Sequence, residues 1–288
     1  MKIVKRVDEL RALIRTAKCE GKSVGLVPTM GYLHEGHLSL MRQAKAEQDI
    51  VVSSIFVNPL QFGANEDYAV YPRDLERDSK LAAGAGVDIV FAPAVDEMYP
   101  QGFQNIKTFV DLIEITDKLC GAVRPGHFRG VATVVTKLFN LVCPDAAYFG
   151  QKDAQQVIVI KQMVTDLNMN IKIVTVPIVR EADGLAMSSR NVYLQPEERQ
   201  AALVLSKSLK VADDLLNNGE KNAVVIKQTI EGIIKAEPLA DIDYIGVCDT
   251  VTLEDLEQVE DKALIALAVK FGKTRLIDNI IWEDKDVS

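Results

Sequence analysis

The spacing of apolar residues alternates between helical and strand-like along the first part of the chain. Between Val7 and Ala17 apolar residues recur at helical intervals, and Gly21 ends the predicted helix. Residues 50–57 are almost wholly apolar, which is typical of a strand buried on both faces of a parallel sheet. The same alternation predicts further strands at 24–27, 87–91, 146–149 and 171–176, and further helices at about 36–46, 73–83, 130–142 and 154–167.

Strands that alternate with helices predict an α/β fold with a doubly wound parallel, Rossmann-like sheet, whose ligands bind at the carboxyl ends of the strands. After Pro177 the pattern changes. Helices near 197–217 and 222–236 precede three strand-like runs at 242–248, 263–271 and 274–281, and Gly272-Lys273 predicts a hairpin between the last two. We therefore predict a large domain over residues 1–176 and a second, smaller α+β domain over 177–288, with a ligand cleft between them.

Composition and charge narrow the class of protein. The 288 residues are 48% hydrophobic and 26% charged, the balance of a globular protein rather than of a disordered chain. The formal net charge is -8, and no run of Lys and Arg interrupts the sequence. Because nucleic-acid binding normally requires a basic surplus, we expect no nucleic-acid partner.

The cysteines and the apolar stretches indicate the cellular compartment in which the protein is expected. The four cysteines are far apart and include no Cys-x-x-Cys pair, which favours free thiols over a disulfide framework or a zinc ribbon. The amino-terminal residues lack the apolar core of a signal peptide, and the longest apolar stretches are too short to span a bilayer. We expect a cytoplasmic protein with no membrane partner.

The first candidate motif lies at residues 28–37, where the first predicted strand ends and the next helix begins. A helix amino terminus offers N–H groups and a positive dipole end that suit a phosphate, and Gly31 and Gly36 allow close approach of the backbone. His34 and His37 are two of the three histidines of the chain and add further donors. A lone histidine is more often structural. A metal site is disfavoured, since no third histidine or cysteine cluster completes one.

His-x-Gly-His after a strand is far more specific than a lone Gly-x-Gly-x-x-G. It resembles the signature of the adenylyl-transferring Rossmann superfamily, which includes class I aminoacyl-tRNA synthetases and nucleotidylyltransferases.

A second candidate motif lies at residues 186–191, just past the predicted boundary. Ser188, Ser189 and Arg190 form a compact phosphate clamp, because Arg donates in a fork and Ser supplies adaptable hydroxyls. The alternative is a polar loop that caps the following helix. In the superfamily that the first motif resembles, a mobile loop containing Met and Ser faces the His-x-Gly-His motif across the ATP phosphates, and this segment resembles that loop.

A third set of residues follows two other predicted strands. Lys152 is placed to neutralise phosphate charge, and Asp153 to accept from a ribose hydroxyl or to help hold Mg²⁺. Asn58, Gln61 and Gln156 are neutral amides, which suit a substrate with hydroxyls and a carboxylate, whereas an acidic side chain there would repel such a substrate. The alternative for the two glutamines is an ordinary surface position.

Taken in order, six segments resemble the pantothenate synthetase (pantoate–β-alanine ligase) family: 28–37, 56–62, 71–74, 126–131, 150–156 and 183–191. The resemblance covers nearly the whole chain and is strongest over residues 24–191. It implies an ATP-dependent carbon–nitrogen ligase that joins (R)-pantoate to β-alanine with ATP and Mg²⁺. The products would be pantothenate, AMP and pyrophosphate, formed through a pantoyl-adenylate. The family is usually dimeric, so a homodimer is implied as well.

The resemblance also assigns residues to roles. The large domain would bind ATP and pantoate, and the smaller domain would close over the nucleotide. His37 is the implied proton donor, and His34, Lys152 and Arg190 complete the catalytic set. Gln61 and Gln156 would bind pantoate, with Gln61 also near β-alanine, and Asn58 joins them as a candidate on its amide chemistry alone. The implied ATP contacts are Met30, Gly31, Tyr32, Leu33, His34, Glu35, Gly36, His37, Gly150, Gln151, Lys152, Asp153, Val179, Met187, Ser188, Ser189 and Arg190.

The chain departs from the family pattern at one position. Many family members carry Glu where this chain has Gln151, and the resemblance implies that this position reaches ATP largely through its backbone. The alternative function is a nucleotidylyltransferase that adenylates a phosphate-bearing cofactor precursor. Such an enzyme would share the first motif but would lack the pair Gln61 and Gln156.

Overall fold

The computed structural model describes residues 1–64 and 66–284, and its internal contacts divide the chain into two units. The first unit comprises Met1–Asp117, Gly121–Gly150 and Val159–Pro177. The second comprises Lys118–Cys120, Gln151–Ile158 and the described residues from Ile178 onward. Two short segments that precede the predicted boundary therefore belong to the second unit.

The first unit is built on a parallel sheet, and over the described residues this sheet has six strands in the order β1-β4-β3-β2-β5-β6. The chain winds outward from β2 through β3 to β4 and then returns to place β5 on the other side of β2, so the strand order reverses between β2 and β5. This arrangement confirms the doubly wound parallel sheet and puts its switch point at the carboxyl ends of those two strands. The strands are β1 (Lys2–Val4), β2 (Val24–Thr29), β3 (Ile50–Ile55), β4 (Ile89–Phe91), β5 (Ala146–Gly150) and β6 (Lys172–Val176).

Helices flank this sheet, and apolar residues on alternate strand positions pack against them. Val27, Val51 and Val90 share one core cluster with Met41 and Ala82 of two helices. Successive strand residues point to opposite faces, so the neighbouring positions serve the other face, where α1 and α6 contact β2 and each other. The helices are α1 (Val7–Cys19), α2 (Glu35–Glu47), α3 (Leu75–Gly84), α4 (Val95–Met98), α5 (Leu119–Val123), α6 (His127–Val142) and α7 (Ala154–Asp166).

The second unit places helices against an antiparallel sheet of three strands in the order β7-β8-β9, counted over the residues that are described. The central strand β8 is buried almost throughout and shares one core with α9 and α10. Phe271 pairs with Thr274, so Gly272-Lys273 forms the predicted hairpin turn. The elements are α8 (Pro196–Ala201), α9 (Val204–Asn217), α10 (Ala223–Lys235), β7 (Ala240–Cys248), β8 (Lys262–Phe271) and β9 (Thr274–Glu283). A smaller α+β unit after the Rossmann-like sheet is confirmed.

The structure differs from the sequence prediction in a few elements. The short strand β1 and the short helices α4 and α5 were not predicted, because three to five residues carry too little periodicity. The single helix predicted over 197–217 is two helices, α8 and α9. Within the described part of the chain, no helix combines the length and the apolar character needed to cross a membrane.

Candidate active site

The turn from β2 into α2 brings two imidazoles to the amino end of a helix. His34 is the N-cap of α2, and His37 lies in its first turn. The backbone N–H of His34 donates to Nδ1 of His37 at 3.4 Å, and the two ring centroids are 4.0 Å apart. Because Nδ1 accepts this bond, a neutral His37 ring carries its proton on Nε2. Together with the helix dipole, this arrangement suits an anion such as a phosphate.

A buried carboxylate holds the turn that precedes these histidines. Asp78 of α3 accepts the backbone N–H groups of Tyr32 at 2.6 Å and Leu33 at 2.8 Å. Burial raises the pKa of Asp78, and the two N–H donors and Arg77 oppose that rise. Gly31 adopts a φ of 92°, and a Cβ there would lie 3.0 Å from Oδ2 of Asp78. The turn therefore requires glycine at this position and an acceptor beneath it.

Gln61 lies in a 3-10 turn, Pro59–Gln61, that follows β3. Its Nε2 donates to Sδ of Met30 at 3.4 Å, and its Oε1 accepts from Nδ2 of Asn58 at 3.1 Å. Asn58 is buried, also donates to the carbonyl of Gly130 at 3.2 Å, and accepts from the Tyr99 hydroxyl at 2.7 Å. Burial raises the pKa of Tyr99, which keeps this hydroxyl a donor. One amide hydrogen of Asn58 thus orients Gln61 and the other binds the Gly130 carbonyl, so both of its donors are engaged within the protein.

A second layer of charged residues supports the backbone of Gln61. The carbonyl of Gln61 accepts from Nδ1 of His127 at 2.8 Å, so a neutral His127 has its proton on Nδ1. Nε2 of His127 then accepts from Nη1 of Arg124 at 3.0 Å. Arg124 also forms a two-point ion pair with Glu66, with both N–O distances 2.6 Å. This pair ties the loop of residues 58–72 to the segment that leads into α6; Asn65 of that loop lies outside the described residues.

The ion pair between Glu66 and Arg124 predicts a pH dependence of stability. Burial alone would raise the pKa of Glu66, but the hydrogen bonds and charge of Arg124 outweigh it and hold the pKa below its ordinary value. A carboxylate whose pKa is lower in the folded chain stabilises that chain above the unfolded pKa, and the contribution is lost as the pH falls through the folded pKa. We expect Glu66→Gln to lower the free energy of unfolding at neutral pH by about 1–2 kcal/mol.

Urea denaturation of the wild type and of Glu66→Gln, repeated from neutral to acid pH, measures this effect. The difference between them should shrink as the pH falls, because protonated Glu66 resembles glutamine. Glu76→Gln is the control, since Glu76 pairs with Lys80 at an exposed site and its loss should have little effect. A difference that stays constant over the whole pH range would contradict the assigned role of the pair.

In the second unit, a short hairpin brings Val179 and Met187 together. The N–H of Met187 donates to the carbonyl of Val179 at 3.0 Å, and Arg180 and Ala186 form the adjacent bridge. The clamp residues follow this hairpin directly. Ser188 is the N-cap of a 3-10 turn, Ser189–Tyr193, and its Oγ accepts the N–H of Arg190 at 3.2 Å.

A 3-10 turn, Gln151–Asp153, precedes α7 and carries the other predicted ATP residues of the second unit. Lys152 is partly exposed and makes no ion pair with any residue in the ranges 1–64 and 66–284. Asp153 is exposed, and Gln156 is half-buried in the first turn of α7. An ammonium without a protein counterion suits a ligand phosphate.

The structure groups the predicted residues within each unit. In the first unit, residues 30–37 follow β2, Asn58 and Gln61 follow β3, and Gly150 is the last residue of β5; the carboxyl ends of these parallel strands lie at one edge of the sheet. Two of these side chains make contacts within the protein instead. Leu33 is buried in the core, and Glu35 forms an ion pair with Arg42. Their contacts with ATP would use the backbone. The second unit holds the rest: Gln151, Lys152, Asp153, Gln156, Val179, Met187, Ser188, Ser189 and Arg190. Contact of either group with ATP stays a prediction.

Several residues that hold the predicted site residues in place were not identified from the sequence. They are Glu66, Asp78, Tyr99, Arg124, Asp278 and Asn279. A usable signal exists for the last two, which interrupt the apolar run of β9. Over residues 1–64 and 66–284, no group of three or more His, Cys, Asp or Glu side chains is placed to hold a metal ion.

Comparison with known proteins bears directly on these motifs. The model of the pantoate-beta-alanine ligase family matches residues 2–281. The pantothenate synthetase of Pelotomaculum thermopropionicum is 61% identical over 281 residues, which cover 98% of this chain and 99% of the relative. That of Acetivibrio thermocellus is 60% identical over 283 residues, which cover 98% of this chain and 100% of the relative.

Solved structures agree with the sequence comparison. Pantothenate synthetase from Thermus thermophilus matches with a TM-score of 0.92 and 48% identity, covering 97% of this chain and 99% of that one. The pantoate-beta-alanine ligase of Francisella tularensis, complexed with beta-gamma ATP and beta-alanine, matches with a TM-score of 0.78 and 35% identity, covering 98% and 97%. The resemblance inferred from the motifs is confirmed, and the chain belongs to the pantoate-beta-alanine ligase family, a family of ligases that form a carbon–nitrogen bond.

Proposed function

We propose that this protein joins (R)-pantoate to β-alanine in an ATP-dependent reaction that yields pantothenate, AMP and pyrophosphate. The observation that supports this most is the pairing of His34 and His37 at the amino end of α2, at the same sheet edge as Gln61. The chain matches the ligase family over residues 2–281, and a relative binds beta-gamma ATP and beta-alanine. The identity of the acid and the amine rests on that family membership.

The first step activates the acid. A carboxylate oxygen of pantoate attacks the α-phosphorus of ATP, and the bond from that phosphorus to the oxygen bridging to the β-phosphate breaks, so pyrophosphate leaves. Negative charge grows on the α-phosphoryl and bridging oxygens, so donors already in position stabilise the transition state. We assign this role to His34, His37, Lys152, Ser188, Ser189 and Arg190.

Neutral amides hold the acid in our proposal. Gln61 and Gln156 each offer a donor and an acceptor to the hydroxyl and carboxylate groups of pantoate. Gln61 is held by Asn58 on one side and by Met30 on the other, so its amide is oriented before substrate binds. We therefore propose that Asn58 positions Gln61 rather than contacting pantoate itself.

The second step forms the amide bond. The neutral amine of β-alanine attacks the acyl carbon of the pantoyl-adenylate, the bond to the AMP oxygen breaks, and the amine loses a proton. The adenylate must be protected from water until then. The tethered loop of residues 58–72, fixed through Glu66 and Arg124, is a candidate for that protection.

We propose that Mg²⁺ enters the site with ATP. Magnesium in nucleotide sites is held mainly by substrate phosphates and one or two carboxylates, and the exposed Asp153 beside Lys152 fits that pattern. When bound, the ion would neutralise phosphate charge. Assembly as a homodimer and a cytoplasmic location, implied by the family resemblance and by the sequence respectively, are also proposals.

An omission experiment tests the function. The purified protein is incubated with ATP, Mg²⁺, pantoate and β-alanine, and pyrophosphate and AMP are followed while each component is left out in turn. We expect pyrophosphate release to require ATP and pantoate, and multiple turnovers of AMP to require β-alanine as well. Pyrophosphate release that ignores pantoate, or that needs a phosphate-bearing acceptor instead, would contradict the proposal.

A further inference from the structure

Two adjacent polar residues are buried in the edge strand β9. Asp278 and Asn279 are each 2% exposed, whereas Leu276, Ile277 and Ile280 around them are apolar. Burying an ionised carboxylate and an amide is costly unless each polar atom finds a partner. Both side chains are fully bonded here, and every residue outside β9 that these side chains bond to lies in a segment that carries predicted ATP-binding residues.

Asp278 holds the hairpin that leads to the clamp. Its carboxylate accepts two bonds from Arg180, at 2.6 and 2.9 Å, and a third from the N–H of Asn279 at 2.8 Å. Arg180 also donates to the carbonyl of Gly184 at 3.1 Å, across the turn of the same hairpin. Because Arg180 neighbours Val179 in this hairpin, the ion pair fixes the base from which residues 187–190 extend.

Asn279 holds the turn that carries Lys152. Its Nδ2 donates to the carbonyls of Gln151 and Lys152, both at 3.0 Å, and its Oδ1 accepts from Nε2 of Gln151 at 3.3 Å. An amide is the side chain that can bond to two carbonyls and one N–H at once. A carboxylate at this position would face the two carbonyls with no proton to donate.

We infer that Asp278 and Asn279 are positioning residues that set both ATP-binding segments of the second unit from one strand. Successive side chains of a strand point to opposite faces, so two neighbouring residues can each hold a different segment. This inference rests on the proposed function for the identity of the ligand. The inference gives β9 a role in positioning the ATP-binding segments, although β9 carries none of the residues that the family resemblance assigns.

Steady-state kinetics of Asp278→Asn and Asn279→Ala test the inference, with pantoate-dependent pyrophosphate release followed at varied ATP. We expect kcat/KM for ATP to fall by roughly 10- to 100-fold in each variant, as is typical when a catalytic group is displaced by about 1 Å. In Asp278→Asn the KM for pantoate should stay unchanged. Asp243→Asn is the matched control, because Asp243 is a mostly buried carboxylate of the same sheet that pairs with Arg275 at 2.7 Å. It should lower stability and leave the KM for ATP unchanged.

Double-mutant cycles separate positioning from general stability. Residues that act through one another give non-additive effects, whereas independent residues give additive ones. Asp278→Asn should be non-additive with Ser188→Ala and additive with Lys152→Ala. Asn279→Ala should show the reverse pattern. A merely structural pair would lower the free energy of unfolding and give additive effects with both partners.

A variant that fails to fold does not leave the inference untested. If Asp278→Asn does not fold, Arg180→Lys keeps the charge with a single donor and reports on the same contact, and Asn279→Ala tests the other half. Wild-type dependence on ATP in these variants would overturn the inference while leaving the ligase function intact. A wild-type protein that releases no pyrophosphate with pantoate would instead refute the proposed function.

Discussion

Lys152→Ala and His37→Ala are each expected to slow pantoate-dependent pyrophosphate release by roughly two to three powers of ten, the usual loss when one positioned donor is removed from a developing oxyanion. For Lys152 the reason is charge, since its ammonium forms no ion pair within the described part of the chain. For His37 the reason is orientation. Its Nδ1 accepts the backbone N–H of His34, so the ring is held with its proton on Nε2.

Rapid-quench measurement of adenylate formation, with circular dichroism to verify folding, checks both variants. Lys161→Ala is the control for Lys152, because Lys161 is exposed on α7 and no role is assigned to it. We expect it to match the wild type. His37→Gln keeps an N–H donor and should lose less than His37→Ala. Adenylation at the wild-type rate in Lys152→Ala or His37→Ala would refute the assignment of that residue.

The elements that the sequence predicts well are those whose signal is local. The almost wholly apolar run at 50–57 became β3, Ile50–Ile55, and ended two residues early, before Asn58 caps the following 3-10 turn. The helix expected at 36–46 became α2, and its amino end carries both histidines as predicted. Spacing alone identified these parts because their physics lies within one helical turn or one strand.

The break between α8 and α9 shows where local signals fail. The N–H of Leu203 bonds to the carbonyl of Gln200, and that of Leu205 bonds to Ala202, so the chain tightens to a 3-10 pattern there. Neither Gly nor Pro lies at this position, and Ala202 and Leu203 are both good helix formers. The local sequence therefore gives no signal for the break. Residues 201–205 are all buried in the core of the second unit, and we attribute the break to this packing.

The residues that support the site could not be predicted for a different reason. They contact residues that are far away along the chain. Asp78 bonds to backbone groups 45 and 46 residues earlier, and Asn279 bonds to carbonyls 127 and 128 residues earlier. A single sequence shows Asp78 as one more acidic residue in an amphipathic helix. Only the fold shows that it is buried and bonded under the turn at Tyr32 and Leu33.

Gly130→Ala is expected to disable pantoate binding by moving Gln61. Gly130 lies in α6, and a Cβ there would come within 2.3 Å of the Leu60 carbonyl oxygen and 2.7 Å of Cα of Gln61. Both contacts are with backbone atoms, so no side-chain rotation can relieve them. The turn Pro59–Gln61 would have to shift, and the hydrogen bond from Asn58 to the Gly130 carbonyl would shift with it.

We expect Gly130→Ala to lower the free energy of unfolding by about 1–3 kcal/mol, the range for overpacking a tight contact. The kcat/KM for pantoate should fall by about 100-fold, because a displacement near 1 Å is enough to spoil an oriented contact. Urea denaturation and adenylation kinetics at varied pantoate measure the two effects. Gly232→Ala in α10 is the matched control, since a Cβ there would meet nothing within 4 Å.

The control should be neutral or more stable than the wild type, by up to about 1 kcal/mol, because alanine is the better helix former. The comparison therefore isolates the contact between Gly130 and the turn from the general effect of replacing a helical glycine. Nucleotide binding to Gly130→Ala, measured by calorimetry, should stay close to that of the wild type, because no predicted ATP contact lies in the turn. A variant that loses stability but keeps the wild-type KM for pantoate would show that Gln61 does not hold the acid.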